Sequence, residues 1–482
     1  MLNKLIYLGG FGAVVASAAS VEQVHLGLTT SVVNCPNGIS ATFASSTSSS
    51  MTVTYAAHGL QSQTTTTTVD SYTYEGKNYS YTSPYLHKAQ FCNLNSSTIY
   101  TYTIGKNANK PLFQRSFITP PTTGDNTVPT VLGMVGDIGS KKLHATLQNI
   151  ASGLGGVPAQ VVIVLGDLSY ANGEQEQWDL WYNQSQNVFS TIPSLTINGN
   201  HETIKGGGAS SPKHKKKFPP ENYVSYIHRA NNPVPAAQNK QLRTYYSIDI
   251  GLVHCVFLDD YAGSRGAVKQ SDDWLSERNV QLKWLKTDLS GVDRKKTPWV
   301  LVFKHNPFYS TWQAHQCQCG PQPYIFPDSD KCWNGIYDDA SPSEVGEEPH
   351  CANQAKFEDV YLQYKVDMVV SGHTHAYERT APIVKNKIDT KNGITYMITG
   401  AAGFDFDTDR VAKIPDWSVK AITNLAGGTR ISATSTTLNV AWVANEDNQV
   451  YDEFALTKEN TATTQHPTTP PTTAIDTLIE SM

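Results

Sequence analysis

The sequence predicts two folds in series, an all-β sandwich followed by a layered α/β domain, and three observations predict it. Residues 21–119 carry short alternating runs, such as Met51-Thr52-Val53-Thr54-Tyr55 and Thr98-Ile99-Tyr100-Thr101-Tyr102-Thr103-Ile104, between clusters of Ser, Thr, Asn and Gly. That spacing suits a small antiparallel sandwich. Pro120-Pro121-Thr122-Thr123-Gly124-Asp125 then reads as a linker. Beyond it, short β-branched runs alternate with stretches of helical periodicity, which implies a sheet with helices packed on it. The expected boundaries are 20–120 for the sandwich, 121–129 for the linker and 130–458 for the α/β domain.

The N-terminus has Lys4, an apolar stretch from Leu5 to Val15 and the small residues Ala16-Ser17-Ala18-Ala19. This is the pattern of a secretory signal over residues 1–19. The alternative, a membrane anchor, needs about 20 apolar residues, and neither this stretch nor any later one is long enough. The mature protein is therefore expected to be secreted, to the extracellular space or cell wall, without stable membrane insertion. Asn78-Tyr79-Ser80, Asn95-Ser96-Ser97 and Asn183-Gln184-Ser185 are permitted glycosylation sites there. A net charge of −5 argues against generic nucleic-acid binding.

The seven cysteines fit the same compartment. Cys35 and Cys92 lie in the N-terminal region and can pair there. Cys317, Cys319, Cys332 and Cys351 cluster in one segment, where two bridges have three connectivities. A zinc site is the alternative for that cluster, but its spacing matches no common finger pattern, and oxidising surroundings favour disulfides. Cys255, inside Leu252-Val253-His254-Cys255-Val256-Phe257-Leu258, reads as the buried odd one.

The Thr-rich run from Thr64 to Thr68 reads as a polar hairpin or loop. Leu282, Leu285 and Leu289 share one face of a helix. The stretch from Asn353 to Tyr364 is a second helix, leading into the strand before His373. The end, 459–482, is rich in Thr and Pro and reads as a disordered tail open to O-glycosylation.

The α/β part holds the most informative pattern. Five apolar runs each stop at residues that bind metals. Val131 to Val135 leads to Gly136-Asp137-Ile138-Gly139, and Val161 to Leu165 leads to Gly166-Asp167-Leu168-Ser169-Tyr170. Leu195 to Ile197 leads to Asn198-Gly199-Asn200-His201-Glu202, Val300 to Lys304 leads to His305, and Val366 to Val370 leads to Ser371-Gly372-His373-Thr374-His375. Buried parallel strands read as short β-branched runs, and such sheets bind ligands beyond their carboxyl ends. A Gly-Asp pair alone is a common turn, and a lone histidine is more often structural. Carboxylates, an amide, imidazoles and a phenol arriving together at five strand ends read as a two-metal site. Such a site clamps the attacking and leaving oxygens and generates hydroxide well below the pKa of free water.

These five blocks resemble the signature blocks of purple acid phosphatases, which belong to the calcineurin-like metallophosphoesterases. The resemblance covers most of the chain, and Ala376-Tyr377-Glu378-Arg379 and Thr399-Gly400-Ala401-Ala402-Gly403 are similar to that family too. It implies a fibronectin III-like sandwich followed by an α/β layered metallophosphoesterase domain with mixed sheets flanked by helices, as in the larger plant and fungal members. It implies that Asp137, Tyr170 and His375 hold a ferric ion, that Asp167 bridges, and that Asn200, His305 and His373 hold a divalent iron, zinc or manganese. The chemistry agrees, since phenolate and carboxylate suit a trivalent ion, and imidazole and amide suit a divalent one. Most other calcineurin-like phosphoesterases carry a histidine two residues after the first aspartate. Here that position is Gly139, and the departure points with Tyr170 toward the purple type.

The implied activity is a secreted acid phosphatase that hydrolyses phosphate monoesters, with metal-bound hydroxide attacking phosphorus. Asn200, His201 and His315 then contact the substrate, and His315 protonates the departing alkoxide. Larger members carry a histidine pair where this chain has Ala314 and His315, so His315 does the job alone, the loop has shifted, or His315 is a surface loop residue. A phosphodiesterase or nucleotide pyrophosphatase on the same scaffold is the alternative activity. A secreted adhesion or wall-binding protein with an inactive catalytic domain is the reading from a different class. Dimers are common among the larger members, and a homodimer is compatible with the sequence.

Two features bear on the substrate. The segment from Cys317 to Cys351 follows His315 directly and is expected to overhang the site as a disulfide-pinned lid, with its acidic stretch at 343–348 a solvated face. The run Lys213-His214-Lys215-Lys216-Lys217, after three glycines, reads as a solvated loop, with a basic arm for polyanionic substrates as the sharper alternative.

Overall fold

Strand alternation is plain at Thr52–Ala57, where Val53, Tyr55 and Ala57 are buried and the residues between them are half-exposed. In the computed structural model, which describes residues 20–107, 110–208, 218–263, 272–319, 322–323, 348 and 351–459, such strands build two four-stranded sheets. One runs Glu22–Thr29, Gly38–Ser45, Tyr85–Phe91, Thr68–Asp70, and the other Pro111–Ile118, Ile99–Gly105, Thr52–Ala57, Gln63–Thr66. All their pairings are antiparallel. The Thr-rich run is thus an edge strand closing a hairpin on Thr52–Ala57, and Thr68 opens an edge strand of the opposite sheet. β-Branched threonine fits a pleated, half-wet edge. Cys35 and Cys92 form a disulfide here. The expected signal at 1–19, the lysine run at 213–217 and the tail beyond 459 lie outside the described residues.

Two further sheets complete the chain. The six-stranded sheet runs Ser194–Ile197, Val161–Leu165, Thr130–Val135, Gly427–Ala433, Thr437–Ala444, Val450–Thr457. The seven-stranded sheet runs Tyr246–Ile250, Val253–Phe257, Trp299–Lys304, Met368–Ser371, Thr395–Thr399, Tyr377–Thr380, Ser418–Ile422. Each combines parallel and antiparallel pairings, so both are mixed sheets. Leu132, Met134 and Ile163 of the first share one apolar core with Phe257, Phe303 and Val370 of the second. On the outer face of the first sheet, Leu147 and Ile150 of helix Leu143–Ala151 and Trp178 and Trp181 of helix Glu176–Phe189 pack against Val162 and Val164. On the outer face of the second, Leu285 and Leu289 of helix Asp272–Ser290 and Val360 and Tyr361 of helix Cys351–Gln363 pack against Val300, Val302 and Val369. The layers are helix, sheet, sheet, helix, because each sheet has two apolar faces to cover. Among the described residues no helix is long and apolar enough to cross a membrane.

The run expected from Val366 becomes a strand only at Met368. Asp367 is held back by Arg294 Nη1 and the Val300 amide, both 2.8 Å from its Oδ2. The linker is tied down as well, with Ser97 N donating to Pro120 O at 3.1 Å and Gly124 N to Gly251 O at 2.9 Å.

Cys255 is buried as expected, and its neighbour His254 carries a pH effect. Its Nδ1 lies 2.7 Å from Asp249 Oδ1 and its Nε2 3.0 Å from Asp288 Oδ2. Burial pulls its pKa down, but the two carboxylates outweigh that and push it up to about 9. The folded pKa exceeds the unfolded one, so this contribution to stability is complete below about pH 6.5 and is lost as pH rises through about 9. With Asp249 partly exposed, we expect about 1–3 kcal/mol. Denaturant unfolding at pH 6 and pH 10 checks it: His254→Gln should narrow the gap between the two, and an unchanged gap would reject the linkage.

Candidate metal centre

All five loops that carry the expected ligands leave the carboxyl ends of parallel strands, three from the first sheet and two from the second. The chain must reverse at once to point side chains into the shared space. Asp137, Asp167, Tyr170 and His373 accordingly have φ of 61°, 54°, 54° and 65°. Non-glycine residues in that region cost about 1–3 kcal/mol each and persist where the surroundings fix them, typically at functional sites. Two glycines give the loops room. A Cβ at Gly199 would lie 2.1 Å from Asp167 Oδ1, and one at Gly166 would lie 2.4 Å from His305 Nδ1.

The side chains meet in two groups. Tyr170 Oη is 2.8 Å from His375 Nε2 and 3.4 Å from Asp137 Oδ1, which is 3.6 Å from His375 Nε2. In the second group, His305 Nε2 is 3.0 Å from Asn200 Oδ1 and 3.4 Å from Asp167 Oδ1. The His305 and His373 ring centres are 4.9 Å apart. Asp167 belongs to both, since donor atoms of Asp137, Asp167 and His375, and of Asp167, His305 and His373, each fall within 4.8 Å of one another. The seven residues expected to bind metal are therefore neighbours.

Further groups fix this arrangement. Glu202 accepts the amides of Asp167, Leu168 and Gly199 at 2.8, 2.9 and 2.8 Å. Asp260 accepts those of His305 and Asn306 at 3.0 and 2.8 Å. His305 Nδ1 is 2.7 Å from Leu165 O, so that nitrogen carries the proton and Nε2 is left as the donor atom facing Asp167.

Burial, and then the charges of Asp137, Asp167 and Glu202, push the Tyr170 phenol well above its usual value near 10. Only a strong Lewis acid draws a proton from a phenol so placed. Burial would raise the Asp167 carboxyl, but His305 and His201 hold it well below the usual carboxylate range. A carboxylate shared by a phenol–carboxylate–imidazole group and an amide–imidazole group fits two cations, the harder one beside Tyr170.

His201 and His315 flank the centre. The His201 ring lies 4.3 Å from that of Tyr170, with its Nε2 3.7 Å from Asp167 Oδ2 and its Nδ1 on Asn172 Oδ1. Burial pushes His201 down to about 3. The His315 ring lies 4.3 Å from that of His373. Its Nδ1 is 3.0 Å from Glu348 Oε1 and its Nε2 3.2 Å from Asp407 Oδ2. Burial works against its charge, but Asp407 and Glu348 push it up to about 10. His315 is therefore at the centre, not a free surface histidine.

One expectation is corrected. Of the acidic stretch at 343–348 only Glu348 is described, and it is 3 % exposed rather than solvated. Its Oε1 is 2.7 Å from His373 Nε2 as well as 3.0 Å from His315 Nδ1. Two imidazoles supply what solvent would have supplied. Cys317 and Cys351 form a disulfide on either side of this residue. Any pairing of Cys319 with Cys332 falls outside the described side chains. Sequence reading also missed Asn172, Asp407 and Phe404. Asn172 sits two residues past Tyr170, a signal that was available. Phe404 explains Gly139: its ring stacks on Tyr170 with 3.5 Å between centres, and a Cβ at Gly139 would lie 2.5 Å from its Cδ2.

Residues 131–377 match the family model for calcineurin-like phosphoesterases, and residues 393–453 match one for the C-terminal part of iron/zinc purple acid phosphatase-like proteins. The chain is 31 % identical over 313 residues to purple acid phosphatase 1 of Ipomoea batatas, covering 63 % of this chain and 54 % of that protein. It is 30 % identical over 347 residues to phosphoenolpyruvate phosphatase of Allium cepa, covering 71 % and 58 %. The chain thus spans somewhat more than half the length of these relatives. In fold it is similar to purple acid phosphatase PPD1 from seeds of yellow lupin, Lupinus luteus, with a TM-score of 0.68 and 20 % identity over 91 % of this chain and 74 % of that one. It is also similar in fold to PhoD, with a TM-score of 0.58, 13 % identity and 90 % of each chain covered.

Proposed function

This chain belongs to the calcineurin-like phosphoesterases, in their purple acid phosphatase family, and from that premise we propose that it hydrolyses phosphate monoesters at a ferric–divalent pair of metal ions. The observation that supports this best is the position of Asp167, buried between a phenol-containing donor group and an imidazole–amide one. Two cations there supply Lewis acidity and a water of lowered pKa. Asp137, Tyr170 and His375 would hold the ferric ion, Asn200, His305 and His373 the divalent zinc, iron or manganese, and Asp167 both.

The remaining work falls to this chain's own side chains. Asn172 accepts the His201 Nδ1 proton and fixes the ring, so that Nε2, 3.7 Å from Asp167 Oδ2, is left as an acceptor for the proton of a protonated phosphate oxygen or of water. Asn200 borders the space above Asp167. His315 is the proton donor to the leaving oxygen, on the His373 side of the centre. That role requires one of its two carboxylate contacts to be exchanged for substrate. The names of the relatives support monoesters over diesters or pyrophosphates. Secretion is supported by the disulfides and by the exposed Asn78, Asn95 and Asn183 of the three sequons. For polyanionic esters the support is the lysine run at 213–217 alone, and for a homodimer it is family habit.

The test is hydrolysis of an aryl phosphate monoester and the matching diester by purified protein from pH 4 to 8, before and after metal removal by chelation. Monoester turnover peaking at acid pH and lost on chelation is the expected result. Preference for the diester would move the assignment to a phosphodiesterase, and no turnover with two metals bound would move it to the non-enzymatic reading.

A further inference from the structure

Glu348 differs in origin from the two aspartates expected to bind metal. Asp137 and Asp167 come from strand ends that the fold fixes, whereas Glu348 comes from between the two cysteines of the Cys317–Cys351 disulfide. It is nonetheless buried, and its Oε1 lies 2.7 Å from His373 Nε2. An isolated buried carboxylate is costly, so its place must be set by what it faces. It faces His373 and His315, and the donor atoms of these three residues lie within 4.8 Å of one another. His373 also belongs to the group it forms with Asp167 and His305, so the two groups share one imidazole.

The spacing is informative. Two donor atoms bound at about 2.0–2.2 Å to one cation lie about 3 Å apart. His305 Nε2 and Asn200 Oδ1 are 3.0 Å apart, and His373 Nε2 and Glu348 Oε1 are 2.7 Å apart. Both separations suit donors adjacent on one ion. The other side of the carboxylate is occupied by His315, whose second nitrogen is held by Asp407. Glu348 thus reaches His373 from a segment separate from the strand ends that carry the other ligands.

We propose that Glu348 is a further ligand of the divalent ion held by Asn200, His305 and His373. The inference rests on the two-metal reading above and deepens it. It gives the divalent position an anionic ligand of its own in addition to the shared Asp167. A phosphate approaching that ion would then have to displace Glu348 from it.

The test uses the full chain loaded with iron and either Zn(II) or Co(II), with the divalent ion titrated against a competing chelator. Glu348→Gln should still bind two ions at saturation but hold the divalent one at least about tenfold more weakly, with the ferric ion retained. Equal hold in wild type and variant overturns the inference and leaves the two-metal reading intact. A wild-type chain that takes up no second ion overturns both. Should the variant fail to fold, a crystal structure of the loaded wild type decides: a Glu348 oxygen about 2.0–2.2 Å from the divalent ion supports the proposal. A carboxylate that contacts His315 alone, with the ion beyond about 3.5 Å, overturns it.

Discussion

Replacing Asp167 with Asn is expected to remove at least about 10³-fold of monoester turnover, a loss of about 4 kcal/mol in transition-state stabilisation. Asn matches Asp in shape and tolerates the left-handed backbone that φ of 54° imposes, so the loop should keep its path. What changes is charge. Asp167 is 1 % exposed, with Oδ1 3.4 Å from His305 Nε2 and also accepting the His201 amide at 3.0 Å. An amide there offers one acceptor instead of two and turns an N–H toward a position where a cation should sit. The expected outcome is a folded protein that has lost one or both metals along with its activity, with melting lowered only by the loss of the metals' own stabilisation. Metal analysis beside kcat on an aryl phosphate checks it. A variant that holds two metals and still turns over would remove Asp167 from the shared position.

The largest expected effect on stability lies away from the site. Arg229 is 1 % exposed and joins the two halves of the chain. Its guanidinium donates to Tyr72 Oη at 2.9 Å, Gln23 Oε1 at 2.8 Å and Tyr81 Oη at 2.8 Å from the all-β region, and to Asp179 Oδ1 at 2.8 Å on helix Glu176–Phe189. Arg229→Met fills much of the volume but leaves two phenols and a carboxylate short of a donor. Removing one member of a buried charge network costs about 3–5 kcal/mol. Arg229→Lys should recover little, because an ammonium cannot reproduce a planar fork. Urea unfolding followed by tryptophan fluorescence measures this, and a change below about 0.5 kcal/mol would mean that the apolar contacts alone hold the halves together. Because none of these partners touches the metal centre, specific activity of the folded fraction should be unchanged.

These two residues differ in how readable they were. Asp167 was legible because a β-branched run before it and Gly-Asp at its end are local signals. A parallel strand must stop where its side chains stop being buried, and the ligand loop begins at that point. Arg229 carries no such mark, since its partners lie 50 to 206 positions away. Helix Asp272–Ser290 was found from three leucines at helical spacing, although its full extent was not.

The order of folds and the five strand ends could be read from the amino-acid order, because strand burial is written in neighbouring residues. The burial of Cys255 could be read in the same way, since its run is apolar on both sides. Three features emerged only on folding: Glu348 leaves solvent for His373, Asp407 holds His315, and Gly139 makes room for Phe404 against Tyr170. Each of these depends on loops from different parts of the chain arriving in one place. Glu348, in an acidic stretch with no periodicity, looks solvated until the imidazoles that stabilise its charge are brought beside it, and that is a matter of distance in space rather than of order in the chain.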